Sequence, residues 1–286
     1  MSVWKDAAFW AQAWQDEREK SLYGVEKSSM SNIEWWDKRA VSYAGQTADV
    51  NSLKKAAGII NRLERSGYLH ADAVVLDIGC GPGNYALRIA ERVKKVVAVD
   101  PSPVMLELLR QKAISWGIKN IETVCLTWEE VKLAEMGWEN EFDLVFASLT
   151  PGIDDIATLQ KMIAASKKAC FYKGFASREN HMQIKLWRRL FNTEMPTVPA
   201  DVFFVFHLLF ALGYTPDLKL QHQRIERNLT KEQAVSDLAV AMATVIEITD
   251  EIKRCIAELV EADMVQNSFL YTRDSIEGDI IWEVEK

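Results

Sequence analysis

The spacing of apolar and polar residues changes character twice along the chain. Residues 1–70 have a helical pattern. Residues 4–20 mix apolar and polar positions without Gly or Pro, and Ser31-Asn32-Ile33-Glu34 has the form of a capping box. That box predicts a helix through Trp35, Trp36, Ala40 and Tyr43 to Gly45, and a further helix spans 50–65 with Ile59, Ile60 and Leu63 apolar. From residue 73 the pattern becomes short apolar runs at 73–78, 96–99, 121–126, 142–147 and 169–175. Runs of this length suit strands buried on both faces. Helical stretches separate them: 85–93, then one opened by Ser102-Pro103 and closed near Gly117, then a short one after Thr127-x-x-Glu130, then 155–166. Strands alternating with helices predict parallel pairing and a doubly wound sheet.

After residue 176 the alternation loosens. A helix carrying Leu186, Trp187, Leu190 and Phe191 precedes Pro196, and a second occupies 202–212 before Gly213. Residues 218–229 alternate like a strand, Thr230-x-x-Gln233 opens a helical stretch that continues to about Met264, and 280–284 is strand-like. The expectation is an α/β domain at 71–286 with helical lid insertions at about 177–212 and 230–265, preceded by a helical cap, 1–70, of the same domain.

Composition narrows the function classes. The chain has 286 residues, 49% of them hydrophobic, which is too apolar for a disordered chain. Its net charge of -7 argues against nucleic acid as a partner, because phosphate affinity comes mainly from Lys and Arg. Cys80, Cys125, Cys170 and Cys255 are far apart and suit neither a zinc framework nor a disulfide scaffold. With no signal-peptide pattern and no apolar run of membrane-spanning length, the expected setting is soluble and cytoplasmic, without a membrane partner. Ten tryptophans are present, five of them (Trp4, Trp10, Trp14, Trp35, Trp36) at the start of the chain.

The most informative segment is Val75-Leu76-Asp77-Ile78-Gly79-Cys80-Gly81-Pro82-Gly83-Asn84-Tyr85. A buried strand runs into three glycines at alternate positions and then into a helix start, which offers free N–H groups to an electron-rich ligand. The second strand ends at Asp100, 21 residues after Gly79, where an acid can accept both hydroxyls of a ribose. The dinucleotide fingerprint G-x-G-x-x-G would need glycine at position 84, which is Asn84. Asp77 beside the loop suits a ligand bearing an ammonium group better than one bearing a pyrophosphate.

On these residues the chain resembles the class I S-adenosylmethionine-dependent methyltransferases of small-molecule type. Asp77, Gly79, Gly81 and Gly83 match the family's acid-x-Gly-x-Gly-x-Gly loop, and Asp100 matches its ribose-binding acid, followed by Pro101-Ser102-Pro103-Val104-Met105. The resemblance implies a mostly parallel, seven-stranded Rossmann-like sheet with helices on both faces, and S-adenosyl-L-methionine as cofactor with S-adenosyl-L-homocysteine as product. It also implies cofactor contacts from Cys80, Pro101, Ser102 and Met105, from Thr127 and Trp128 after the third strand, and from Ala147 and Ser148 after the fourth. Thr127 stands where the family often has an acid, so Trp128 either stacks on the adenine or is a core residue. Trp36, Arg39, Ala40 and Tyr43 share one helical face; Tyr43 is the candidate for the methionine carboxylate, with Arg39 nearby.

Methyl transfer from a sulfonium is an in-line displacement, in which positioning contributes on the order of 7–11 kcal/mol and a base matters only when the acceptor must lose a proton. The base candidates are His181 and Tyr172, with Glu179 and Asp154 behind them. His207 reads as a satisfied core histidine, and His70 and His222 as loop or surface residues. No metal-ligand spacing occurs. The leading reading is methyl transfer to a small-molecule acceptor by a monomer or homodimer. The alternatives are a nicotinamide-dependent oxidoreductase and a non-catalytic protein that binds the cofactor or recruits a partner through its Trp-rich helices.

Overall fold

The computed structural model describes residues 3–24, 32–46, 50–243 and 245–285. The chain begins with a 3-10 turn, Val3–Lys5, then α1 (Ala7–Lys20), α2 (Asn32–Gln46) and α3 (Val50–Arg65). The alternating region follows: β1 (Val74–Ile78), α4 (Ala86–Ala90), β2 (Lys95–Val99), α5 (Pro103–Ser115), β3 (Ile121–Val124), α6 (Leu133–Met136), β4 (Phe142–Ser148) and α7 (Ile156–Ala165). It ends with β5 (Ser166–Asn180), α8 (His181–Phe191), α9 (Asp201–Ala211), β6 (Asp217–Leu229), α10 (Lys231–Met242), α11 (Asp250–Ala262) and β7 (Phe269–Glu283).

The strands form one seven-stranded sheet in the order β3-β2-β1-β4-β5-β7-β6. The first five run parallel, and β7 is antiparallel to both neighbours. The parallel strands are short and almost wholly apolar because helices cover both faces. One face packs Leu76, Ile78, Val97 and Val145 against Trp14, Leu159 and the α9 residues Val202, Val205 and Leu209. The other packs Val75, Val96, Leu144 and Phe146 against Ile60 and Leu63 of α3 and Leu106 and Leu109 of α5.

β1 is the switch point of the sheet: the order runs outward from it through β2 on one side and β4 on the other. In open α/β sheets the ligand crevice lies at the carboxyl ends of the strands at such a point.

Two strands, β5 and β7, are much longer than the pattern predicts, whereas β6 matches its expected 218–229 to within one residue. β4 ends at Ser148, level with Lys173, but β5 continues seven residues further to Asn180, about 23 Å at normal strand rise. β7 and β6 accompany it, so a three-stranded antiparallel wall stands above the rim of the parallel sheet. The wall carries its own apolar core, made of Met182, Leu186 and Trp187 (α8), Leu238 and Met242 (α10), Ile256 and Val260 (α11), and Phe269. The stretch read as one helix to about Met264 is two, α10 and α11, and α9 belongs to the sheet core rather than to the wall.

Candidate active site

Three glycines turn the chain from β1 into α4 with positive φ: Gly79 at 66°, Gly81 at 52° and Gly83 at 82°. The turn is pinned because the Gly79 and Cys80 amides both donate to the Val99 carbonyl, at 2.8 and 3.1 Å. A β-carbon on Gly79 would lie 2.0 Å from Thr150 Oγ1, so the β4–α7 loop closes against the glycine. One on Gly81 would meet only Tyr43 Cε1, at 3.9 Å. The open side of the loop is therefore the Gly81 side, and Tyr43 of α2 bounds it.

Two carboxylates flank this space. Asp100 accepts the Gly81 amide on one oxygen and the Ser102 amide on the other, each at 2.9 Å, so a single side chain ties the two cofactor-facing loops together. Asp77 is 2% exposed and its Oδ2 has no hydrogen-bond partner. Burial lifts its pKa well above the usual carboxylate range, the neighbouring Asp100 lifts it further, and a hydrogen bond with the Ala86 backbone opposes them. Burial also raises Asp100, against its backbone hydrogen bonds. A buried, unpartnered carboxylate oxygen beside a second acid calls for a cationic donor. S-Adenosylmethionine carries an ammonium and a sulfonium, and the residues present fit it.

Ser102 caps α5, its hydroxyl accepting the Met105 amide at 3.0 Å and donating to Asp37 of α2 at 2.5 Å. This contact seats α2 on the loop after β2. Trp36 packs edge-on to Tyr43 at 5.5 Å, and the Trp35 indole donates to the Val240 carbonyl of α10 at 3.3 Å. Tyr43 is thereby held between the glycine loop and the helical additions. Ser31, the first residue of the capping box proposed for α2, lies outside the described residues.

The remaining cofactor candidates divide. Ala147, Ser148, Pro101 and Thr127 lie at the carboxyl ends of β4, β2 and β3, on the same rim as the loop. Thr127 and Glu130 do form their predicted box, with bonds of 2.9 and 3.3 Å, but close a turn and not a helix. Trp128 corrects the stacking expectation: its indole is 2% exposed, belongs to the sheet core and donates to the Thr158 carbonyl at 3.1 Å. A ring so enclosed has no face to offer an adenine. Met105 is likewise buried, and the buried Cys80 thiol is pushed well above its usual pKa by burial and then by Asp77.

Both proposed bases are corrected. His181 sits at the top of β5, about 25 Å along the strand from Lys173, is half exposed, and pairs with Asp274 at 3.0 Å. Tyr172 is at the rim but 2% exposed, and burial, then Asp201, raises its phenol well above 10, so it holds its proton at neutral pH. Asp154 is occupied by Arg18, which also binds both oxygens of Asp201 at 3.1 Å. Glu179 lies near the top of β5, exposed. His207 is half-buried on α9, bonded through Nδ1 to the Phe203 carbonyl and stacked on Trp10 at 4.1 Å.

Sequence reasoning missed a buried charge cluster at the rim. Lys173 meets Glu277 at 3.0 Å and Asp279 at 2.9 Å, all three less than a tenth exposed. Burial works to lower the lysine pKa, but the two acids overcome it and raise it. Tyr85, directly after the glycine loop, hydrogen-bonds Ser148 beside this cluster; burial pushes its phenol up to about 12. The available signals were a lysine inside an apolar run and acids at alternate positions of a strand. Leu149, with φ at 51°, is a strained residue in the same loop, held by its amide on the Lys173 carbonyl at 2.9 Å.

Comparison with known proteins agrees with this geometry. The methyltransferase-domain family Methyltransf_25 matches residues 75–169, the glycine loop through the first part of β5. An uncharacterized protein of Haemophilus influenzae is 31% identical over 146 residues, half of each chain. A protein of Methanosarcina barkeri named as a probable ribosomal RNA small subunit methyltransferase A is 32% identical over 104 residues, covering 36% of this chain and 33% of that one. The chain thus spans half or less of these relatives. A candidate methyltransferase from Bacillus halodurans C-125 has the same fold, with a TM-score of 0.52 at 15% identity over 79% of this chain and 99% of that one. The acid-flanked glycine loop, Asp100 and strands β2, β3 and β4 lie within the segment that matches the methyltransferase-domain family, and the sheet has the Rossmann-like fold of the class I S-adenosylmethionine-dependent methyltransferases.

Proposed function

We propose that the protein transfers a methyl group from S-adenosylmethionine to a small-molecule acceptor. The observation that carries this reading is the pair of buried acids at the glycine loop, with Asp77 Oδ2 unpartnered. Asp77 and the loop amides would hold the amino-acid end of the cofactor, Asp100 the ribose, and Tyr43 the methionine carboxylate, with Gly79, Gly81, Gly83, Pro101, Ser102, Thr127, Ala147 and Ser148 lining the crevice. When bound, the cofactor supplies an activated methyl on a good leaving group. The chain supplies position and dryness: α2 covers the loop, latched by Asp37, and the wall with its helices closes the acceptor side. This gives α2 of the cap and α8, α10 and α11 of the insertions the role of a lid, while α1, α3 and α9 pack the sheet.

A small acceptor is favoured over RNA by the net charge of -7, although the Methanosarcina relative is named for ribosomal RNA. None of the described residues forms a helix long and apolar enough to cross a membrane. Titration calorimetry with S-adenosylmethionine and S-adenosylhomocysteine tests the reading. Both ligands should bind, and Asp100→Ala should weaken them at least about tenfold. Absence of binding at millimolar ligand, or unchanged binding in the variant, defeats the proposal.

A further inference from the structure

The covered face of the wall carries cationic side chains that cofactor binding does not use. Residues paired across antiparallel strands point to the same side. Arg178 pairs with Ser275 and Asn180 with Arg273; from β6, Gln223 pairs with Ser275 and Arg227 with Tyr271. On β6, Gln223 and Arg227 are half-buried whereas His222, Arg224 and Glu226 are exposed, so Arg178, Arg273 and Ser275 share the inner side. Going down that side, Glu277 and Asp279 meet Lys173 at the level of Ser148. Ser275 is two residues above Glu277, about 7 Å.

The same side looks onto the glycine loop. Tyr43, whose ring bounds Gly81, is half-buried, and the charges that bear on its hydroxyl are Arg39, Arg273, Asp100 and Arg178. The arginines thus face the space beside the cofactor crevice rather than bulk solvent.

Of the three arginines on this side, one is paired and two are not. Arg227 is paired with Asp237 at 3.2 Å and lies over the Tyr271 ring at 4.6 Å. Among the described residues, neither Arg178 nor Arg273 has a carboxylate within ion-pair distance of its guanidinium; Arg178 lies over the Phe175 ring at 5.3 Å. Arg273 Nε is buried without a hydrogen-bond partner, and so is the hydroxyl of Ser275, a residue 4% exposed. Burial, and then the nearby Arg178, press Arg273 to give up its charge, with Tyr271 and Glu277 only partly opposing them. Two neighbouring guanidinium groups and an orphaned hydroxyl cost stability in the empty protein, and an oxyanion would satisfy all three at once.

We propose that Arg178, Arg273 and Ser275 form an oxyanion subsite, and that the methyl acceptor is a small molecule bearing a carboxylate or a phosphate monoester. This rests on the methyl-transfer reading above and names its substrate class. RNA would present the same phosphate chemistry, but Ser275 is only 4% exposed, not displayed on a surface that a polymer could track along.

The test uses the full chain saturated with S-adenosylhomocysteine and titrated with phenylacetate, phenyl phosphate, neutral phenylacetamide and a short single-stranded RNA. At least one of the two small anions should bind, with the amide about tenfold weaker or more. The better of the two anions identifies the acceptor group. Arg273→Gln and Arg178→Gln should each weaken the anion about tenfold or more while leaving S-adenosylhomocysteine affinity within about twofold, and Arg273→Lys should recover part of the loss. Unchanged cofactor affinity certifies that the variants are folded. Anion and amide binding equally, neither anion binding, or indifference to both substitutions would overturn the subsite. RNA binding more tightly than either anion and lost in Arg273→Gln overturns the small-molecule assignment in favour of nucleic acid. Failure of S-adenosylhomocysteine to bind the unaltered protein overturns the methyl-transfer reading itself, and with it the acceptor assignment.

Discussion

Asp77 and Asp100 are held in a condition that water would not impose on them. Burial raises both; Asp100 adds to the rise at Asp77, and Asp37 adds to the rise at Asp100. The folded, empty protein therefore binds protons at these carboxyls above the ordinary carboxylate range of about 3.9. Since the folded pKa values lie above the unfolded ones, the contribution of these acids to stability is present below the unfolded value and is lost as pH rises through the folded values. A cationic ligand reverses the preference by favouring the ionised forms. Affinity for S-adenosylmethionine should rise with pH through that window, with proton release on binding. Calorimetry in two buffers of different ionisation enthalpy reads the proton count directly. Proton uptake, or release undiminished in Asp77→Asn, would contradict this account.

At the scale of single elements, local chemistry and tertiary contact meet in Ser102. Its side chain satisfies the amide of Met105 at the start of α5, which any Ser-Pro helix opening predicts. The same hydroxyl also donates to Asp37, which lies on α2 and is remote in sequence. Ser102→Ala should cost about 1 kcal/mol from the cap and also loosen α2 over the glycine loop. Asp37→Asn should leave the α5 cap intact and still weaken cofactor binding. Thermal melts with and without S-adenosylhomocysteine separate the two effects. If the ligand-induced shift in Tm is the same in Asp37→Asn as in the unaltered protein, α2 is not latched by this contact. The Thr230–Gln233 box shows the local case alone, since both of its reciprocal bonds form, at 3.3 and 3.0 Å, within the helix start.

At the scale of the whole molecule, the described residues form three apolar cores: one on each face of the sheet and one in the wall. The third is joined to the others by three continuous strands and by the α2 contacts. Ile256→Ala, in a fully buried position of that third core, should cost about 2–5 kcal/mol locally. Hydrogen-exchange protection should fall in α8, α10 and α11 while β1, β2 and β4 stay protected. A uniform fall over all elements would mean that the wall has no independent stability. The tryptophans crowded at the chain start divide along the same lines. Trp14 is fully buried against the sheet with its indole on Asp201 at 2.6 Å, and Trp10 stacks on His207 of α9. Only Trp35 and Trp36, on α2, stand beside the crevice.

By itself the sequence determined what depends on neighbours in the chain. The short apolar runs dictated buried parallel strands, because only a strand covered on both faces can be apolar at every position. Three alternate glycines with an acid before them, and an acid at the end of the next strand, dictated a crevice for a cationic nucleotide-like ligand, because positive φ and close backbone approach leave a local signature. The tertiary structure decided what depends on distance between elements. The enclosure of Trp128 and Tyr172 follows from helices packing on one face of the sheet, and the meeting of Lys173 with Glu277 and Asp279, like the removal of His181 to the top of a long strand, follows from the pairing of β5 with β7. Antiparallel pairing between residues a hundred positions apart leaves no period in either segment that reveals the other. The face shared by Arg178, Arg273 and Ser275 could be seen only once those strands were laid side by side.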